Sequence, residues 1–313
     1  MNPVRLIPFM VVLCISALHG GDGRSLFPKF SLCLRGTAGL MAIGDINTGL
    51  RTFNDNPTFE YLRKNDVSWG RIEGEVETLH GFYGSWEVEM RVGFSRRISV
   101  GVATSSAVHR MNEGSVTWTY LPPDQTVWPY HYYYRPEIRA AMPLKASVYY
   151  CLNPESRISS GLFMGLGYYR GRMSQQLNLD GVNGLDGEVD WSNQYWETQS
   201  KGGLGFHMGW EAEYRLARRV SVTADLEFRY AKIRNFRATQ VHDTSFPERT
   251  ESSGWLYTYT TFDPFIEGGP RYWNFQVWET PPDRSLDFKA DIRRASLDLS
   301  GLAIKVGVRI GLF

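Results

Sequence analysis

The chain has 313 residues, 34 Lys and Arg against 33 Asp and Glu, a formal net charge of +1 and 14% aromatic residues. Near neutrality removes the electrostatic case for a nucleic-acid partner, and the aromatic content excludes wholesale disorder. A negative mean hydropathy excludes a bundle of membrane helices.

The first segment reads as an export signal. Arg5 supplies a positive start, Leu6 to Leu18 form an apolar run too short to span a bilayer, and Gly20 marks a plausible cut, so residues 1–20 are expected to be a cleaved signal peptide. Val12 and Leu13 in front of Cys14 do not suit lipid acylation. The remaining cysteines, Cys33 and Cys151, fall on runs far apart in order and are expected to be unpaired, buried thiols.

From residue 29 onward the text alternates with period two. Phe30, Leu32, Leu34, Gly36, Ala38, Leu40 and Ala42 share one phase, as do Phe82, Gly84, Trp86, Val88, Met90, Val92 and Phe94. The same pattern recurs at Ile98–Val102, at Ile138–Tyr150 (Ile138, Ala140, Met142, Leu144, Ala146, Val148, Tyr150) and at Ile158–Tyr168. It returns at Leu204–Tyr214, Val220–Tyr230 and Leu302–Leu312, making eight strands in all. A soluble sandwich also alternates, but its strands run to about five or six residues, whereas a membrane strand needs about 9–11. The opposite phase carries Arg35, Glu87, Glu89, Arg91, Lys145, Glu211, Glu213, Arg215, Asp225, Glu227, Arg229, Lys305 and Arg309. In a small closed barrel these mixed signs would meet across the lumen and pair.

The connections alternate in length. Short links at 94–98, 153–157 and 217–219 enter nearly identical text, RRISV, SRISS and RRVSV, while the links at about 45–81, 111–137, 173–202 and 235–295 are long. That rhythm matches short periplasmic turns and long extracellular loops. Over residues 29–313 the chain resembles the eight-stranded outer-membrane β-barrels of the OmpA/OmpX/OmpW type, in architecture rather than by a specific motif. The resemblance implies an all-β, antiparallel up-and-down transmembrane barrel in a Gram-negative outer membrane, surrounded by outer-membrane lipid. It also implies that terminal Phe313 is the signal read by the barrel-assembly machinery, although the apolar set is in phase with Leu312 instead. A count of ten strands follows if the aromatic hairpin of the fourth loop joins the sheet.

The loops carry the remaining candidates. Aromatic residues crowd Val127–Pro136, Trp255–Phe262 and Arg271–Trp278; they are expected to continue the strands above the membrane, with the last pair alternatively forming a lid hairpin over the barrel mouth, or else to stack on an extracellular ligand or protein. In the first loop Asp45 or Asn47 could cap a short helix carrying Leu50 and Phe53 and ended by Pro57. Asp180, Asn183, Asp186, Glu188 and Asp190 have a composition calcium accepts, without EF-hand spacing, and the same residues are ordinary turn formers. His207 and His109 are both expected to face the lumen, but neither sits in a hydrolase motif. The reading is therefore a non-enzymatic barrel without a cofactor, structural or surface-interacting, its lumen filled by charge. The alternatives are a narrow or lateral route for a small or hydrophobic molecule, and an interfacial lipid acyl hydrolase or acyltransferase.

Overall fold

A computed structural model describes residues 29–55, 63–64, 70–120, 128–182, 189–245, 249–262, 271–281 and 289–312. The expected signal peptide, Pro57 and Phe313 lie outside them. Among the described residues seventeen antiparallel strands form one sheet, more than the eight or ten expected, because the long loops also fold as strands.

Eight of the seventeen close a ring. They are β1 (Lys29–Gly44), β2 (Phe82–Gly93), β3 (Ile98–Ser105), β4 (Trp128–Cys151), β5 (Ile158–Val182), β6 (Lys201–Arg215), β7 (Val220–Tyr230) and β8 (Ser296–Gly311). Each pairs with the next, and β8 returns to β1 in a register running from Ser31↔Gly311 to Leu40↔Leu302. Closure matters because an open edge would leave backbone N–H and C=O groups unpaired in an apolar solvent.

The outer face of this ring is apolar. On β6, Leu204, Phe206, Met208, Trp210 and Tyr214 are all exposed, Leu204 at 74%, while Leu302, Ile304, Val306, Val308 and Ile310 do the same on β8. Eleven residues, 204–214, at about 3.3 Å rise and about 45° tilt cover roughly 25 Å, the height of a hydrocarbon belt. Such a continuous exposed apolar band is tolerated only where water is absent.

Above the belt the barrel inverts. Strands at Gly70–Glu75, Gly114–Tyr120, Val189–Thr198 and Arg237–Thr244 prolong the wall. Thr250–Phe262 then pairs with Arg237–Thr244, Arg271–Trp278 and Lys289–Arg294. Inside sits an apolar core that includes Ile43, Ile46, Leu50, Ile138, Met173, Trp196, Phe236, Leu256, Phe275 and Leu297. Ile43 (φ 67°) and Gly44 (φ 86°) turn the chain from β1 into this core, where helix α1 (Asp45–Asn54) is packed. Its apolar positions Ile46, Leu50 and Phe53 follow helical spacing. The helix is not capped by Asp45 or Asn47: no side chain caps it. Asn47 instead bonds the Leu79 backbone at 2.8 and 2.9 Å, and Asp45 bonds Arg293 and Ser296.

Two breaks in phase separate the storeys. A bulge in β4 between Ala141 and Leu144 sends Ile138, Ala140 and Met142 inward and Arg139 outward, so these three do not share the lipid-facing phase of Ala146, Val148 and Tyr150. β3 stops at Ser105, and after Ser106 and Ala107 the chain resumes as a strand at Val108–Met111. That interruption places His109 on the exposed outer surface, paired with Glu137 at 2.9 Å, rather than in the lumen. The aromatic loop segments pack mostly as core: Tyr134, Tyr257, Tyr259 and Phe275 are buried, and Trp196 stacks on Phe275 with centroids 5.3 Å apart. The hairpin of Thr250–Phe262 and Arg271–Trp278 is thus a lid joined to the sheet, held to α1 through Trp273 N–H and Thr52 Oγ1 at 3.1 Å.

Candidate functional site: the filled lumen

Within the belt, the inward phase of the ring strands converges on one ionic network. Arg35 on β1 is its centre, with a side chain 0% exposed. Its Nη1 donates to Glu87 Oε1 and Glu89 Oε2, both at 3.0 Å, and its Nη2 donates to Glu211 Oε2 at 3.1 Å. Nε faces Asp225 Oδ2 at 3.2 Å as an ion pair. Arg91 donates to Glu89 at 2.7 Å and grips Glu211 with both terminal nitrogens at 2.8 Å, its guanidinium lying 3.4 Å above the Tyr149 ring. Bidentate geometry of this kind is among the stronger ion pairings.

Lys145 on β4 and Lys305 on β8 share one pair of carboxylates. Lys145 Nζ reaches Glu227 at 2.5 Å and Glu87 at 3.1 Å, while Lys305 Nζ reaches both at 2.7 Å. Arg309 bonds Glu211 at 2.7 Å and also Glu213. Arg229, at the upper edge, donates to the Leu299 carbonyl at 2.7 Å and lies over Tyr83 and Tyr169. The structure brings twelve of the thirteen residues named from the sequence together in this network or at its upper edge. Arg215 is not among them: it is exposed at the end of β6, its Nη2 on the Pro154 carbonyl at 2.5 Å.

Small residues make the space that these long side chains need. A Cβ on Gly307 would run into the Leu34 carbonyl oxygen and sit 2.7 Å from Arg35 Cγ, so the glycine of β8 accommodates both the backbone and the Arg35 side chain of the facing strand. A Cβ on Gly101 of β3 would lie 2.8 Å from Glu89 Cδ. An eight-stranded barrel is about as wide as its side chains, and large and small residues must alternate around it.

Several members of the lumen carry no formal charge and do not stand out in the sequence. Tyr149 donates to Glu89 at 2.5 Å, and Tyr83 and Tyr169 flank Arg229. All three lie in the inward phase of their strands, which is the signal that could have found them. Cys33 is buried beside Thr223 (3.7 Å), and Cys151 is half-buried at the end of β4; both are free. His207 does face the lumen, 0% exposed, with Nε2 2.8 Å from Ser147 Oγ. A serine–histidine hydrolase also needs an orienting group on the other ring nitrogen and access for substrate. Here Nδ1 has no hydrogen-bond partner among the described residues, and Ser147 is buried.

Little space remains at the centre. A cavity of about 30 Å³ lies between network and upper core, lined by Thr37, Tyr83, Tyr169, Arg229 and Lys305 among others, large enough for a water or two; a second, of about 130 Å³, opens below the network at the short-turn end, lined by Arg91, Glu211, Glu213 and Arg309 among others. The wall of the upper cavity reaches a seam beside β2. Ser106 N–H donates to the Trp86 carbonyl at 3.0 Å, and Arg110 covers the Phe82 carbonyl at 2.9 and 2.6 Å. The strand Val108–Met111 pairs with β4 there. Of the acidic loop, Asp180 and Asp190 lie on paired strands, and Asn183, Asp186 and Glu188 fall outside the described residues.

No family model matches the chain, and no curated protein does. Among solved structures it is similar to a major outer membrane protein from Thermus thermophilus, at 12% identity and TM-score 0.32, over 89% of this chain and 99% of that one. It is also similar to the outer membrane protein AlkL in lipid bilayers, at 10% identity and TM-score 0.31, over 94% of this chain and 96% of that one.

Proposed function

We propose that this protein is a non-enzymatic outer-membrane barrel, exported by the signal peptide at residues 1–20, whose lumen is closed to diffusion and whose role is structural or surface-interacting. The observation that carries the reading is the network around Arg35. A solute crossing the lumen would have to displace cations each bound to two or more carboxylates, with 0% exposed side chains at Arg35 and Glu89. Breaking such a pair in a low-dielectric interior costs several kcal/mol, and the apolar core around α1 adds a second barrier above it. Planar-bilayer recording of the refolded protein tests this: the expected record is silent, and a steady, ion-selective conductance would refute it.

One observation favours a second reading, passage of a small hydrophobic molecule between lumen and bilayer. β2 has no strand partner on the β3 side between Phe82 and Trp86 among the described residues, and Ser85, Ser105 and Ser106 line the adjoining cavity. A disulfide between cysteines introduced at Trp86 and Ser106, whose backbones already meet through Ser106 N–H and the Trp86 carbonyl at 3.0 Å, would lock the edge of that seam. Faster uptake of a fluorescent alkane into vesicles by the open form than by the crosslinked one would favour passage, and equal rates would exclude it.

A further inference from the structure

The short-turn end of the barrel carries a charge excess that the lumen network does not use. Five arginines, Arg96, Arg97, Arg157, Arg218 and Arg219, lie in three turns that hold a single acid, Glu155, and Arg215 adds a sixth beside them. Since the whole chain is at +1, this is a local concentration rather than an expression of overall charge.

Depth and orientation give the excess a meaning. Immediately above these turns begins the lipid-facing belt, with Phe94, Ile98, Leu152, Ile158, Leu216 and Leu312 all exposed. Two of the guanidinium groups are held on that outer side by tyrosines: Arg97 Nη1 donates to Tyr150 Oη at 3.3 Å, and Arg157 lies over the Tyr214 ring at 5.1 Å. Tyr150 and Tyr214 are themselves exposed on the lipid face, where amphipathic rings mark the headgroup boundary. Arg218 and Arg219 are exposed and make no side-chain bond among the described residues. Arginine binds phosphate oxygens through a planar fork with several donors.

We infer that this arginine collar binds the phosphodiester headgroups of anionic phospholipids in the leaflet at the short-turn end. The inference rests on the membrane-barrel reading above. Lysine-poor, arginine-rich turns suit phosphate more than a diffuse counter-ion cloud, and the tyrosine-held guanidinium groups sit where a headgroup would be and acyl chains would cover the apolar residues beside them.

The experiment is electron spin resonance of the protein refolded into phosphatidylcholine vesicles containing trace spin-labelled phosphatidylglycerol or phosphatidylcholine. The expected result is that phosphatidylglycerol is restricted at the protein surface about five-fold more strongly. The preference should fall at least two-fold in Arg157→Gln/Arg218→Gln/Arg219→Gln, which leaves Arg96, Arg97 and Arg215 in place, and persist in Arg139→Gln/Arg170→Gln/Arg172→Gln, which removes three arginines from the opposite rim. Heat-modifiable gel migration reports folding of each variant, and Arg218→Gln/Arg219→Gln serves if the triple variant does not fold. Equal restriction of both labels, or a preference untouched by the turn variants, overturns the inference while leaving the membrane reading intact. A preference abolished equally by chloride and by inorganic phosphate at the same ionic strength assigns the arginines to a diffuse counter-ion cloud and also overturns it. Absence of any restricted lipid around the folded protein refutes the membrane reading, and this inference with it.

Discussion

Replacing Arg35 by methionine is the most informative perturbation of the lumen. The guanidinium faces four carboxylates at 3.0, 3.0, 3.1 and 3.2 Å. At an effective dielectric constant of about 20, each contact is worth about 5 kcal/mol of gross Coulomb energy. Much of this offsets the cost of taking the guanidinium out of water, so the net effect of removal is set by the carboxylates left behind. Glu89, itself 0% exposed, retains Arg91 and Tyr149, whereas Asp225 loses the cation it faces. Loss of one partner from a buried pair costs about 3–5 kcal/mol, which is the destabilisation expected for Arg35→Met. Urea unfolding of the protein refolded in lipid, followed by tryptophan fluorescence, measures it. Adding Asp225→Asn should recover part of the loss, because the uncompensated charge goes with it. A loss below about 1 kcal/mol, or no recovery in the double variant, would refute the argument that the network is closed and mutually dependent.

Three further expectations follow from the same geometry. Asp45 lies above the apolar belt. Burial alone would raise its pKa, but Arg293, together with Ser296, outweighs that and holds its carboxyl below the ordinary aspartate value. Its contribution is therefore fully present above about pH 4 and lost as pH falls through the folded value, so the stability gap between wild type and Asp45→Asn should shrink on acidification; a gap independent of pH would contradict this. Gly307→Val drives branched carbons into the Leu34 carbonyl and Arg35 across the β1–β8 closure and should cost about 3 kcal/mol, read as a lower midpoint in heat-modifiable migration. Phe275→Ala removes a buried ring from the lid and should cost that region about 3–5 kcal/mol. Hydrogen exchange should rise in Thr250–Phe262 and in α1 and stay unchanged in β6 and β7, and a uniform rise would show that lid and belt are one cooperative unit.

The lumen is largely legible in the sequence because a period of two admits only two faces. Once Leu302–Leu312 is placed toward lipid, Lys305 and Arg309 have nowhere to go but inward, and the same holds for Glu87, Glu89, Asp225 and Glu227. The rule fails where the ladder is interrupted. Ile138, Ala140 and Met142 continue the alternation of Ala146, Val148 and Tyr150 without a visible break, yet the bulge at Ala141/Leu144 reverses their direction. His109 departs from its expected place for the same reason, across Ser106 and Ala107. Arg215 departs because the inward phase runs past the end of the wall, where water is a better partner for a guanidinium than an occupied lumen.

The sequence by itself determined the antiparallel barrel, its lipid face, the short-turn rhythm and the charged interior, since these follow from residue phase, strand length and turn spacing together. Tertiary structure decided the second storey. Whether apolar residues above the belt face outward or form a core depends on the solvent at that height and on one-residue shifts in the ladder. The partners that fill that core, α1, Trp196, Phe236 and Phe275, come from segments far apart in the chain, α1 and Phe275 at its opposite ends. Pairwise contacts over such separations leave no period in the chain, so only the folded arrangement reveals them.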